Sequence, residues 1–133
     1  MSNKTQKYYF YEFLKILPAI ALALIIFYFS SLSNPYPTAP SKFTLFFLNP
    51  MLHICEFGAL SFLLFFGLFP KVRAFFLIIL SIIYAFLDEL HQYFVPFRYF
   101  DIFDFFLDIV GVIGGFVFYL FLKFILTRIK SKD

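Results

Sequence analysis

An all-α bundle of four transmembrane helices is predicted by three features of this 133-residue chain: an apolar excess, four apolar segments near spanning length, and a lopsided placement of Lys and Arg. Hydrophobic residues make up 62% and charged residues 14%, against about 45–50% and 25% in soluble domains. Phe alone occurs 25 times. A domain this small buries the smallest share of its surface, so water is a poor solvent for it. These proportions exclude an ordinary cytosolic enzyme, a disordered chain and a nucleic-acid reader. The single Cys55 excludes a disulfide within the chain and a zinc-finger site. The length suits one domain over residues 1–133.

The spans are expected at about 16–31, 51–69, 74–94 and 102–122. Each must be helical, because a lone strand in lipid leaves backbone groups unsatisfied. Asn34-Pro35-Tyr36-Pro37-Thr38-Ala39-Pro40 ends the first span, Pro70-Lys71-Val72-Arg73 makes a tight charged turn, and Pro96-Phe97-Arg98 ends the third. Ser31-Leu32-Ser33, with lysines upstream, resembles a signal cleavage site, but the apolar run is long for a signal peptide.

Sidedness follows from the cations. With both termini cytoplasmic, nine Lys and Arg lie inside and only Lys42 and Arg98 outside. The acids divide the other way: Glu12 and Asp133 are inside, whereas Glu56, Asp88, Glu89, Asp101, Asp104 and Asp108 sit at outer ends of spans.

A helical rise of ~1.5 Å per residue places Ser30, Glu56 and Asp108 roughly 22 Å above the inner anchors, and His53, Glu89 and Asp104 roughly 27–28 Å. In a core of ~30 Å, that is one slab just beneath the outer surface. Asp101, Asp104, Asp108, Gly111 and Gly115 form one helical stripe, acidic outward and small inward. Its Gly111-x-x-x-Gly115 pair lets a neighbouring helix approach closely. The stripe is therefore expected to face the bundle. His53 shares a face with Glu56, Glu89 with Gln92, and Asp88 with His91. Asp88 and Glu89 differ by ~100°.

These pieces resemble the VanZ-like family of small membrane proteins. The resemblance rests on Phe29-Ser30-Ser31, on His53-x-x-Glu56-Phe57, and on Asp88-Glu89-Leu90-His91-Gln92-Tyr93-Phe94-Val95-Pro96-Phe97-Arg98. It continues through Asp101-x-x-Asp104-x-x-x-Asp108-x-x-Gly111-x-x-x-Gly115, and covers about Phe27 to Gly115 in order. Matching that pattern turns Glu89 and Gln92 inward and leaves Asp88 on a rim or neighbouring face. Two positions depart from it: Phe97 stands where the family usually has Gly, and Asp108 where it usually has Asn. The resemblance implies a membrane protein of the cell envelope linked to glycopeptide (teicoplanin) tolerance, not a particular reaction.

Ionisable groups cost ~2.5–3.5 kcal/mol at mid-membrane and less near the interface. Four helices contributing at one depth favour a working site, although a solvated vestibule or a structural hydrogen-bond network uses the same residues. Crowded carboxylates cannot all ionise freely, which equips a pair for acid–base work. Glu56, Glu89 and Asp104 are the candidate acid/base or metal-binding groups. His53 serves them as proton carrier or as ligand, and His53 with Glu56, facing Asp104 and Asp108, suits a divalent cation. Arg98 either clamps a phosphate or carboxylate or balances Asp101 or Asp104. Gln92, Ser30 and Asp108 complete the binding side. Ser30 and Ser31 serve as a nucleophile and its neighbour, or bond back to the backbone. His91 is a rim residue, and Cys55 faces lipid or core.

The expected partner is a membrane lipid or a lipid-linked cell-wall precursor, hydrolysed or subjected to group transfer. The alternative is a non-catalytic accessory protein that limits antibiotic access to the precursor. A proton-coupled carrier is disfavoured, because no ionisable group lies deep toward the inner leaflet to complete a path.

Overall fold

The structure, a computed structural model, describes residues 7, 10, 11, 13–33 and 47–131. The proline-rich linker 34–40, Lys42, Glu12 and the terminal lysines Lys4 and Lys132, all used in the reading above, lie outside the described residues. Four helices follow in order: α1 (Leu17–Ser30), α2 (Asn49–Leu68), α3 (Ala74–Tyr93) and α4 (Ile102–Lys130). No strand occurs among the described residues.

The second and third spans fall where the apolar runs place them. The first is shorter: α1 has 14 residues, about 21 Å at 1.5 Å per residue. Pro18 starts it, since proline lacks an N–H and is tolerated only in a first turn. Phe10, Tyr11, Phe13 and Leu14 are helical too, and the chain turns at Lys15 and Ile16 before α1 begins. The fourth is longer than expected, running eight residues past Leu122 to Lys130. Neither Gly nor Pro interrupts that stretch, and Arg128 and Lys130 in the last turn complement the helix dipole.

The bundle is apolar outside. Phe75, Phe76, Phe118 and Phe121 each expose more than half of their surface, whereas Ser61, Ser81, Glu89 and Asp108 expose none. Such an inversion stabilises a protein only where hydrocarbon is the solvent. α2, α3 and α4 are long and apolar enough to cross a membrane. The inner apolar cluster is small, formed by Ala19, Ile26, Phe57, Leu60, Ala85 and Val112.

α2 and α4 make the most extensive contact. A Cβ built on Gly111 would lie 2.5 Å from the Ile54 carbonyl oxygen and 3.0 Å from the Gly58 nitrogen. One on Gly115 would collide with the Gly58 oxygen. The expected Gly111/Gly115 approach thus exists, and its partner is Gly58, itself without a Cβ. Ser61 Oγ donates to the Val112 carbonyl across the same seam at 2.8 Å. On the other side of the bundle, Tyr84 Oη donates to the Ala23 carbonyl at 2.6 Å and ties α3 to α1.

Candidate functional site

The polar residues converge at one end of the bundle: the C-terminal ends of α1 and α3 and the N-terminal halves of α2 and α4. Gly58 and Gly111 hold α2 and α4 close, one turn beyond His53 and Asp108 on their own helices. That backbone approach brings His53 Nδ1 to 2.9 Å from Asp108 Oδ1. His53 Nε2 lies 3.5 Å from Asp104 Oδ2, so the imidazole stands between two carboxylates one turn apart on α4. The side chains differ in access: Asp108 is fully buried, His53 keeps 16% exposure and Asp104 29%. His53 and Asp104 are therefore the open edge.

α3 supplies the rest. Ser30 Oγ donates to Asp88 Oδ2 at 2.7 Å. Gln92 Nε2 donates to the same Asp88 oxygen at 3.0 Å and to Glu89 Oε1 at 3.3 Å. The other Glu89 oxygen accepts from the Asp101 N–H at 3.0 Å. Asp101 in turn caps α4, its side chain accepting from the Phe103 N–H at 2.8 Å. One carboxylate thus links the end of α3 to the start of α4.

The turn between them aims Arg98. The Arg98 N–H donates to the Val95 carbonyl at 3.1 Å, with Pro96 second and Phe97 third at φ 64°. Pro followed by a positive φ is the signature of a type II turn, whose third position favours glycine. The resemblance implied Gly there, and the backbone supplies the reason. Folded back by this turn, Arg98 donates through Nε at 3.1 Å, and also through a terminal nitrogen, to Gln92 Oε1.

Several sequence expectations change. Of the two places expected for Asp88, it takes the neighbouring face and not the rim: it is 4% exposed and buried toward α1. The ~100° between Asp88 and Glu89 is accommodated because α3 packs against neighbours on two sides, with Asp88 meeting Ser30 of α1 and Glu89 meeting the start of α4. The inward stripe Leu77, Ser81, Ala85, Asp88 was the signal in the sequence. Arg98 pairs with neither Asp101 nor Asp104, and serves Gln92 instead. Glu56, half-buried, makes no hydrogen bond to a described residue; the group whose ligand atoms lie within 4.8 Å of one another is His53, Glu89 and Asp108. Ser31, not Ser30, bonds back to the backbone, at Phe27 O. Its hydroxyl also meets His91 Nε2 at 2.9 Å, and His91 stacks on Phe27. Cys55 is exposed and faces away, as expected.

A groove of about 630 Å³ lies at the other end of α2 and α4, lined by Phe62, Phe66, Tyr119, Leu122 and Lys123 among others. None of the polar-site residues lines it.

A bundle with helices long and apolar enough to cross a membrane, and a buried His–carboxylate cluster at one end, defines a class: small membrane proteins with a polar cluster inside an apolar bundle. Within that class the assignment is specific, for residues 2–123 match the VanZ/LLP1 family and the chain belongs to it. No curated protein and no solved structure matches the chain.

Proposed function

We propose that this protein is a membrane-embedded enzyme of the cell envelope, acting by hydrolysis or group transfer on the head group of an envelope lipid or lipid-linked cell-wall precursor. The observation that carries the reading is the imidazole of His53, set between Asp104 and Asp108 with one edge open. An imidazole flanked by carboxylates can accept a proton and return it. In this reading His53, with Asp104 and Glu56 on the accessible side and Glu89 behind, performs the acid–base work. Arg98, Gln92, Ser30 and Asp108 orient the head group. The excess of Lys and Arg toward the other end supports cytoplasmic termini and a site on the extracytoplasmic side. Residues 1–133 act as one domain.

The test compares envelope lipids by mass spectrometry in cells carrying the wild type, His53→Gln, Glu89→Gln or Glu56→Gln at equal expression. The expected result is a lipid species that depends on the wild type and disappears with His53→Gln. Profiles identical across all four strains would remove the enzyme reading.

A second reading has one observation in its favour: Ser30, Asp88, Gln92 and Arg98 hydrogen-bond to one another. Groups engaged in this way suit an accessory protein that engages the precursor, or the antibiotic, without chemistry. It predicts that teicoplanin tolerance tracks the protein while lipid profiles stay unchanged.

A further inference from the structure

We infer that His53, Glu89 and Asp108 form a binding site for a divalent transition cation of the Zn²⁺ or Mn²⁺ type. One ligand atom from each of the three residues lies within 4.8 Å of the others, and the three come from α2, α3 and α4. Ligand bonds of ~2.1 Å around one ion need ligand spacings of about 3.4 Å in a tetrahedron. His53 Nδ1 and Asp108 Oδ1, at 2.9 Å, must open by about 0.5 Å, and no edge of the group, each at most 4.8 Å, has to close by more than about 1.4 Å, within the reach of side-chain rotation.

Two further observations point to a ligand. Asp108 is fully buried, yet its Oδ2 has no hydrogen-bond partner among the described residues; a buried carboxylate oxygen without a donor is costly unless something binds it. The cluster also sets four carboxyl groups, those of Asp88, Glu89, Asp104 and Asp108, against one imidazole, and the nearby Arg98 guanidinium hydrogen-bonds to Gln92 rather than to any of them. A cation offsets that surplus at the buried end, around Asp108.

The surrounding bonds suit the purpose. The Glu89 carboxylate is steadied by Gln92 and by the Asp101 N–H. With Nδ1 on the metal, His53 would turn its Nε2–H toward Asp104 Oδ2, 3.5 Å away, the carboxylate–histidine–metal arrangement that fixes a tautomer. The imidazole nitrogen favours Zn²⁺ over Mg²⁺ and Ca²⁺, which prefer all-oxygen shells, and the two carboxylates also suit Mn²⁺. Asp108 stands where the resemblance implies an amide, so the anionic oxygen is a property of this chain. The inference concerns residues that the envelope-lipid reading also uses, and a metal on His53 Nδ1 would leave the acid–base work to Asp104 and Glu56; because the readout is binding alone, its failure leaves that reading standing.

The test uses the full chain in nanodiscs, stripped of metal and titrated with Mn²⁺ under electron paramagnetic resonance. One Mn²⁺ per chain is expected to bind, to be displaced by Zn²⁺, and to resist excess Mg²⁺. Nitrogen coupling from imidazole should appear in pulsed spectra, vanish in His53→Gln and persist in His91→Gln. Asp108→Asn and Glu89→Gln, each checked for folding by circular dichroism, should weaken binding by at least about tenfold, and Cys55→Ser should not. Mn²⁺ left free by the folded wild type would overturn the inference. Wild-type affinity in both carboxamide variants, or nitrogen coupling that survives His53→Gln, would overturn it equally.

Discussion

Replacing Gly111 with alanine tests the seam that assembles the site. The added Cβ would lie 2.5 Å from the Ile54 carbonyl oxygen and 3.0 Å from the Gly58 nitrogen. An ordinary carbon–oxygen contact is about 3.3 Å or longer, so the overlap is roughly 0.8 Å. Both neighbours are helical backbone and cannot rotate aside; α2 and α4 must separate. Overpacking of this kind costs about 1–3 kcal/mol, and the better helix propensity of alanine returns up to ~1 kcal/mol. The expected net loss is about 1–2 kcal/mol, with a larger loss for Gly115→Ala, whose Cβ would strike the Gly58 oxygen. Gly114 is the internal control: a Cβ there meets nothing within 4 Å, so Gly114→Ala should be neutral or stabilising. The assay is unfolding of purified protein in mild detergent, titrated with a denaturing detergent and followed by circular dichroism. If all three variants unfold together, the close approach of α2 and α4 does not hold the bundle, and the reasoning fails.

Three other outcomes are expected. Phe97→Gly should raise stability by about 0.5–1 kcal/mol, since a side chain at φ 64° carries a left-handed cost that glycine escapes, and Phe97 is 95% exposed; an unchanged or lower unfolding midpoint would contradict the turn assignment. Ser30→Ala should destabilise by about 1–3 kcal/mol, because Asp88 already has one oxygen without a partner and would lose a donor to the other; a midpoint equal to the wild type would mean that the Ser30–Asp88 bond is not made. Tyr84→Phe should cost only about 0.5–1.5 kcal/mol, because it removes one hydrogen bond to the Ala23 carbonyl, and a loss above about 3 kcal/mol would show that this hydroxyl does more than tie α3 to α1.

Particular residues show where reading the chain succeeds. Gly111 and Gly115 are recognisable because their four-residue spacing repeats the aspartate stripe above them. His53 with Asp104 is recognisable because helical rise alone puts them at nearly the same depth, with Asp108 one turn below on the same stripe. Gly58 is harder to see, since one glycine in an apolar helix carries no spacing signal until its partner is known. The ~100° between Asp88 and Glu89 separates their faces, but that both faces are buried is seen only once α3 lies against α1 and α4. The length of α1 depends on Pro18 and on the turn at Lys15–Ile16, which hydropathy averages away.

Composition and periodicity were enough to indicate an all-helical bundle, the order of its apolar helices and the gathering of its polar groups toward one end. All three follow from local quantities: apolar length, rise per residue and side-chain spacing. The hydrogen bonds could not be read that way. Whether Arg98 meets an aspartate or Gln92, and whether Glu56 or Glu89 joins His53 and Asp108, depends on rotations of neighbouring helices about their axes. Those rotations are set by backbone contacts such as Gly58 on Gly111 and by a turn at Phe97, between residues far apart in the chain or in a conformation that composition does not announce.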